Sequence, residues 1–173
     1  MEKLNQKELN ELMYKHRMSD DLVFENLDLS GLSFEYANYY CGGFRNMKFD
    51  NCNLYRVSFD GCRILDCTFS GSTINYVGFE EATITHSSFD KATIKNSDFS
   101  RASLSDVDFF KASIDDTSFA NGTFKNVDFC RSKLSDVSFD NLYCDDLSLF
   151  CSSIENISFN TGNVGNITLS IAN

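Results

Sequence analysis

Two histidines, seven cysteines and a scatter of hydroxyl and carboxylate side chains are the residues whose types could do chemistry. His16 and His86 are the general acid–base candidates. Neither belongs to a motif that would use it, since the chain holds no HExxH, no nucleophile elbow, no GxGxxG and no Walker sequence. Cys41, Cys52, Cys62, Cys67, Cys130, Cys144 and Cys151 are odd in number and include no C-x2-C pair. Reduced thiols fit that pattern better than a zinc site or an extracellular disulfide framework. The expectation is a non-enzyme, with no catalytic residue, no cofactor and no metal.

What positions these side chains is a repeat. From Phe24 to Leu169 every fifth residue is apolar, 30 centres in one unbroken frame, and at 42% hydrophobic composition such a run is not accidental. Two residues before each centre runs a second, smaller series that includes Cys52, Ala82, Ala92, Val107 and Val127. A period of five fits neither the 3.6 of a helix nor the 2 of a flat strand, so the chain must turn within each unit. If both series point inward from a short bridge of strand, the next two residues form a corner, and four corners close a coil of about 20 residues. Stacked at roughly 4.8 Å, about 7.5 such coils make a rod about 36 Å long. Centres with numbers ending in 9 are mostly Phe, and those ending in 4 are Leu or Ile from Leu54 to Ile114. Phe should therefore line two facing walls and Leu or Ile the other two. Of the 17 Phe, 15 are centres; Phe110 and Phe150 are not.

Within this frame the chemical residues take mundane places. His86 falls at a corner and His16 on the apolar stripe of an N-terminal helix. Cys52, Cys62 and Cys67 fill the small inward slot, Cys144 is a centre, and Cys41, Cys130 and Cys151 fall at turns. Thr73, Thr83, Thr93, Ser103 and Ser113 point outward at a 20-residue spacing, as hydroxyl ladders do. Asn96, Asp106, Asp116, Asn126 and Asp136 stand where corners need turn-forming residues.

Segments such as Ala82-Thr83-Ile84-Thr85-His86, Ala92-Thr93-Ile94-Lys95-Asn96, Ser97-Asp98-Phe99-Ser100-Arg101 and Ala102-Ser103-Leu104-Ser105-Asp106 resemble the A(D/N)LXX units of the pentapeptide-repeat family. The resemblance covers about residues 22 to 171. It implies an all-β fold, a right-handed quadrilateral parallel β-helix, with a short capping α-helix at the N-terminus. It implies little about function, because the repeat is itself the scaffold. In the family's quinolone-resistance branch such rods resemble B-DNA in width and negative potential. They bind DNA gyrase or topoisomerase IV in place of DNA, and they dimerise through their C-terminal ends.

The predicted organisation is a capping segment, 1–21, followed by the β-helix, 22–173. Asn5-Gln6-Lys7-Glu8 reads as an N-cap with Glu three residues on, and Leu9, Leu12, Met13 and His16 follow at helical spacing, with an end near Ser19. This helix serves either as a lid on the first coil or as a partner-binding element. At the other end Val164, Ile167, Leu169 and Ile171 leave the last coil apolar, which either frays or stacks on a second copy; a homodimer through these residues is expected.

With 25 acidic and 15 basic residues and a net charge of −10, direct nucleic-acid binding is not expected. An apolar run of about 18 residues and a secretory h-region are both missing, which points to a cytoplasmic protein without a membrane span. Asp106, Asp116 and Asp136 collect after Leu or Ile centres and Asp146 after Cys144 in the same series, while Lys91, Arg101, Lys111 and Arg131 follow Phe centres. Phe110, Cys130 and Phe150 recur at 20 residues on one corner, as a seal over each turn or as an apolar ridge for a partner beside the Asp-rich edge. The first reading is a non-enzymatic protein-interaction scaffold that binds through Phe110, Phe150, Asp106, Asp116, Asp136 and Asp146. The alternative is a DNA-mimicking binder of DNA gyrase or topoisomerase IV.

Overall fold

The computed structural model describes residues 1–15, 23–160, 162, 165, 167 and 168. Every centre from Phe24 to Leu149 is buried and points inward from a short extended segment, and four such segments make one coil of a right-handed parallel β-solenoid of about seven turns. The backbone pairs in strict 20-residue register. On the first wall Phe24, Phe44, Ile64, Ile84, Leu104, Phe124 and Cys144 stack in turn. On the third wall the stack is Phe34, Leu54, Ile74, Ile94, Ile114, Leu134 and Ile154. The second and fourth walls pair through single bridges in the earlier coils, such as Thr68 with Ser88 and Ser58 with Gly78, and through residue pairs in later ones, such as Val107 and Asp108 with Val127 and Asp128.

These two walls carry the rings, as the alternation of Phe with Leu or Ile predicts. Phe49, Phe69, Phe89, Phe109 and Phe129 stack on the second wall with centroids 4.6–4.9 Å apart and planes within 9° of parallel. From Tyr39 through Phe59, Phe79, Phe99, Phe119 and Phe139 to Phe159 the fourth wall repeats this at 4.4–5.4 Å. The columns meet edge to face at the axis, for example Phe89 against Phe99 at 5.9 Å and 80°. That arrangement sets the positive edge of one ring on the negative face of the other. Where Phe124 brings a ring to the first wall between Leu104 and Cys144, Gly122 leaves it room: a Cβ there would sit 3.2 Å from the Phe124 ring.

Corner geometry explains the corner residues. Every fifth residue from Asn26 to Asn156 has positive φ, 24 of them not glycine and three glycine. Asn, Asp and Gly tolerate this left-handed conformation best, which is why Asn96, Asp106, Asp116, Asn126 and Asp136 occupy it. After Phe centres the turn closes with a hydrogen bond from the third residue on, as from Ala92 N–H to the Phe89 carbonyl at 3.0 Å. With φ positive only at the second corner residue, these are type II turns.

The first coil is covered. A helix spans Gln6–Lys15, and Asn5 Oδ1 accepts from the N–H groups of Lys7 and Glu8 while Asn5 N–H donates to Glu8 Oε2 at 2.8 Å. Leu9 is buried, Leu12 and Met13 pack on the core below, and the Tyr39 hydroxyl donates to Met13 Sδ at 3.2 Å. Two further contacts close the open backbone edge. Glu2–Lys3 form a strand on Leu27–Asp28. The Gln6 carboxamide accepts from Ser33 N–H and donates to the Ser33 carbonyl, both at 2.9 Å, like one more peptide in the ladder. The predicted helix end near Ser19 and His16 lie outside the described residues.

At the other end Ile167–Thr168 pair with Leu147 and Ser148, so the frame still holds there, and Ile167 is half-buried. Val164, Leu169 and Ile171, named above for a dimer contact, lie outside the described residues.

Candidate interaction edges

Because the rings fill the axis, the side chains available to another molecule are those on the four edges, where each coil contributes one corner. Residues 20 apart share an edge; residues 10 apart stand on diagonally opposite edges. The edge between the first and second walls carries Asp66, His86, Asp106, Asn126 and Asp146. His86 spans two coils there, with Nδ1 3.6 Å from Asp66 and Nε2 3.5 Å from Asp106. Asp106 accepts from Asn126 Nδ2 at 2.8 Å and from Ser105 Oγ at 2.9 Å. Those two hydrogen bonds, with His86 and Lys125 nearby, hold the Asp106 carboxyl below its usual range.

The edge between the third and fourth walls carries Tyr36, Arg56, Tyr76, Asn96, Asp116 and Asp136. Asp136 accepts from Ser135 at 2.9 Å and Asn156 at 3.2 Å. Among the described residues Asp116 and Asp146 accept no hydrogen bond. The four aspartates thus form two separate pairs on opposite edges.

Phe110, Cys130 and Phe150 share one corner, as their spacing predicts, and it is also the edge of Lys91, Lys111 and Arg131. That corner lies one wall from each of the two aspartate edges; grouping corners by the wall type that precedes them merges those two edges, which the 20-residue coil sets apart. Lys111 Nζ lies 4.8 Å and Arg131 Cζ 5.9 Å from the Phe110 ring centroid, so cations cover that half-buried ring. Phe150 remains 44% exposed. On the last edge Arg101 bridges Glu80 and Glu81.

Inside, burial pushes the thiols of Cys52 and Cys67 up to about 11 and that of Cys62 to about 12, which leaves them protonated. Among the described residues no three His, Cys, Asp or Glu side chains stand where they could hold a metal ion. No helix among them is long and apolar enough to cross a membrane.

Residues 42–119 match the family profile described as "Pentapeptide repeat region". That stretch is a pentapeptide-repeat region. Similar solved structures include a pentapeptide repeat protein from the Arabidopsis thaliana thylakoid lumen, at 20% identity over 62% of this chain and 68% of that one, with a TM-score of 0.49. A trypsin-treated form of QnrB1, a plasmid-mediated fluoroquinolone resistance protein, matches at 13% identity over 92% and 89%, TM-score 0.46. HetL from the cyanobacterium Nostoc sp. strain PCC 7120, involved in heterocyst differentiation regulation, matches at 12% identity over 94% of both chains, TM-score 0.35. No curated protein sequence matches the chain.

The rod carries one cluster that the sequence reading missed. Tyr36 is 66% and Tyr76 50% exposed, and Tyr55 meets both rings edge-on at 5.8 and 6.0 Å. Arg56 Cζ lies 5.4–5.7 Å from all three ring centroids. The signal was present: Tyr36, Arg56 and Tyr76 are 20 residues apart at corner positions where Asn, Asp or Gly is the unstrained choice.

Proposed function

We propose that the protein is a non-enzymatic interaction scaffold that binds another protein along an edge of the rod, in a reducing cytoplasmic setting. The observation that carries this reading is the strict corner register, which sets one side chain per coil in a straight column and so presents a rigid linear array. A photo-crosslinker placed in turn on each edge of the full chain tests it in native extract. Crosslinks to one protein from a single edge, lost when that edge's column is replaced, support the role; equal labelling from all four edges refutes it.

Two narrower readings belong with it. A gyrase or topoisomerase IV partner is supported by the rod shape and by the Asp116 and Asp136 column, but Lys91, Lys111 and Arg131 interrupt the negative surface between the two acidic edges. It requires inhibition or protection in a supercoiling assay that weakens with salt and with Asp106, Asp116, Asp136 and Asp146 changed to Asn. A homodimer through the last coil rests on Ile167 together with Val164, Leu169 and Ile171. Light scattering at micromolar concentration should then give twice the chain mass, and Leu169→Lys with Ile171→Lys should restore monomers; a monomeric parent protein excludes this assembly.

A further inference from the structure

Tyr36, Tyr55, Arg56 and Tyr76 form one interlocked block rather than four loose side chains. The ring contacts at 5.8 and 6.0 Å hold the tyrosines against each other, and the guanidinium fixes all three. A surface already ordered loses little entropy when a ligand lands on it. Nothing local calls for these residue types. Tyr36, Arg56 and Tyr76 take φ of 54°, 53° and 56°, where Asn26, Asn46, Asn96 and Asn126 serve at equivalent corners. Yet the rings stay well exposed, which is costly for groups that only seal a turn.

Spacing selects the ligand. Tyr36 and Tyr76 are two coils apart, about 9.6 Å at roughly 4.8 Å per coil. A polyproline II helix repeats every three residues at about 3.1 Å each, or about 9.3 Å per turn. Successive turns of such a helix would therefore seat on Tyr36 and on Tyr76, with Arg56 halfway between. Aromatic tracks of this kind suit proline rings, whose extended backbone is already ordered before binding. The 173 residues contain no proline, so no segment of them can be the occupant.

Charge completes the match. Among the described residues Arg56 has no carboxylate within 4.0 Å, so an acidic side chain on the ligand would supply its missing partner. Farther along the same edge Asp98, Asp116 and Asp136 line a shallow depression of about 460 Å³ that also touches Tyr76. Arg56 and Asp116 are three coils apart, about 14 Å, which is about five residues of polyproline II. In the other direction a groove of about 590 Å³ runs from Tyr36 along Met13 and Tyr14 of the capping helix, which lengthens the track. We infer that, within the interaction role proposed above and resting on it, this edge binds an extended proline-rich segment of another protein with an acidic residue over Arg56 and a basic one near Asp116.

The probe is a fluorescently labelled decaproline peptide with Glu at its third and Lys at its eighth position, titrated with the full chain and read by anisotropy. The expected result is saturable binding that weakens at least about tenfold, or about 1.4 kcal/mol, for Tyr36→Asn with Tyr76→Asn and for Arg56→Asn. Asn is native to the equivalent corners, so circular dichroism melts of these variants should match the parent and exclude misfolding as the cause. Replacing the peptide's Glu by Gln should remove most of the effect of Arg56→Asn, as a direct pair requires. No saturation by about 1 mM peptide, or a double Tyr variant that binds as well as the parent, overturns the inference. So does equal binding of a Gly/Ser peptide with the same two charges. Crosslinking from another edge would then still leave the broader interaction role standing.

Discussion

Phe99 lies between Phe79 at 4.4 Å and Phe119 at 4.9 Å in its own column and meets Phe89 and Phe109 edge-on across the axis. Paired backbone fixes all four neighbours, so they cannot collapse into the space a missing ring would leave. Phe99→Ala should cost about 3–5 kcal/mol in urea melts, and a loss below about 1 kcal/mol would contradict the packing described. Thiol chemistry should divide the cysteines in the same way. Exposed Cys41 should take up maleimide in the native protein, while Cys52, Cys62 and Cys67, buried and with raised pKa, should react only after unfolding; intact mass before and after denaturant reads the difference. Asp106 gives a pH test. Its folded pKa lies below the reference 3.8, so its contribution is complete above that value and is lost as pH falls through the lowered one. Asp106→Asn should therefore flatten the acid limb of the stability curve and leave the limb above pH 5 unchanged in slope. At this scale inward and outward positions were legible, because a side chain's place in the period dictates its direction. The Tyr–Arg block was not, since the corner slots were read through the residue types that favour turns, and Tyr and Arg are not among them.

The capping segment shows how far an element can be read. Its helix, with the reciprocal Asn5 and Glu8 bonds and the Leu9 stripe, follows from the order of residues alone. The strand at Glu2–Lys3 does not, because two residues carry no periodicity. Nor does the role of Gln6, whose amide can replace a peptide group only once a coil edge exists for it to complete. Leu9→Ala should cost about 2–5 kcal/mol, since it opens the roof over Phe24 and Tyr39. Gln6→Ala should cost only about 1 kcal/mol, because water can replace its exposed hydrogen bonds. Its second effect should be more telling: the freed edge at Ser33 is a template for another strand, so light scattering should detect association beyond that of the parent protein.

Over the whole molecule the repeat has two nested periods, and deletions separate them. Removing residues 83–102 takes out one full coil and returns every later centre to its own wall, so the fold should survive, one coil shorter. Removal of 83–92 keeps Phe opposite Phe but exchanges diagonally opposite edges beyond the cut, whereas removal of 83–87 drives Phe onto the Leu and Ile walls. Urea midpoints should fall in that order, least for 20 residues and most for five; a five-residue deletion as stable as the 20-residue one would show that the ring columns do not set the register. The division of the aspartates between two edges belongs to this scale: two corners of the same kind look alike until the 20-residue coil, already implied by the sequence, assigns them to opposite sides. The ring columns have an optical consequence as well. Near-parallel rings 4.4–5.4 Å apart run without a break along the fourth wall to Tyr39, which lies 5.3 Å from Phe59. With no tryptophan to intercept it, light absorbed by phenylalanine in that stack can pass from ring to ring and emerge as tyrosine emission, and the share lost in Tyr39→Phe reads what reaches the capped end.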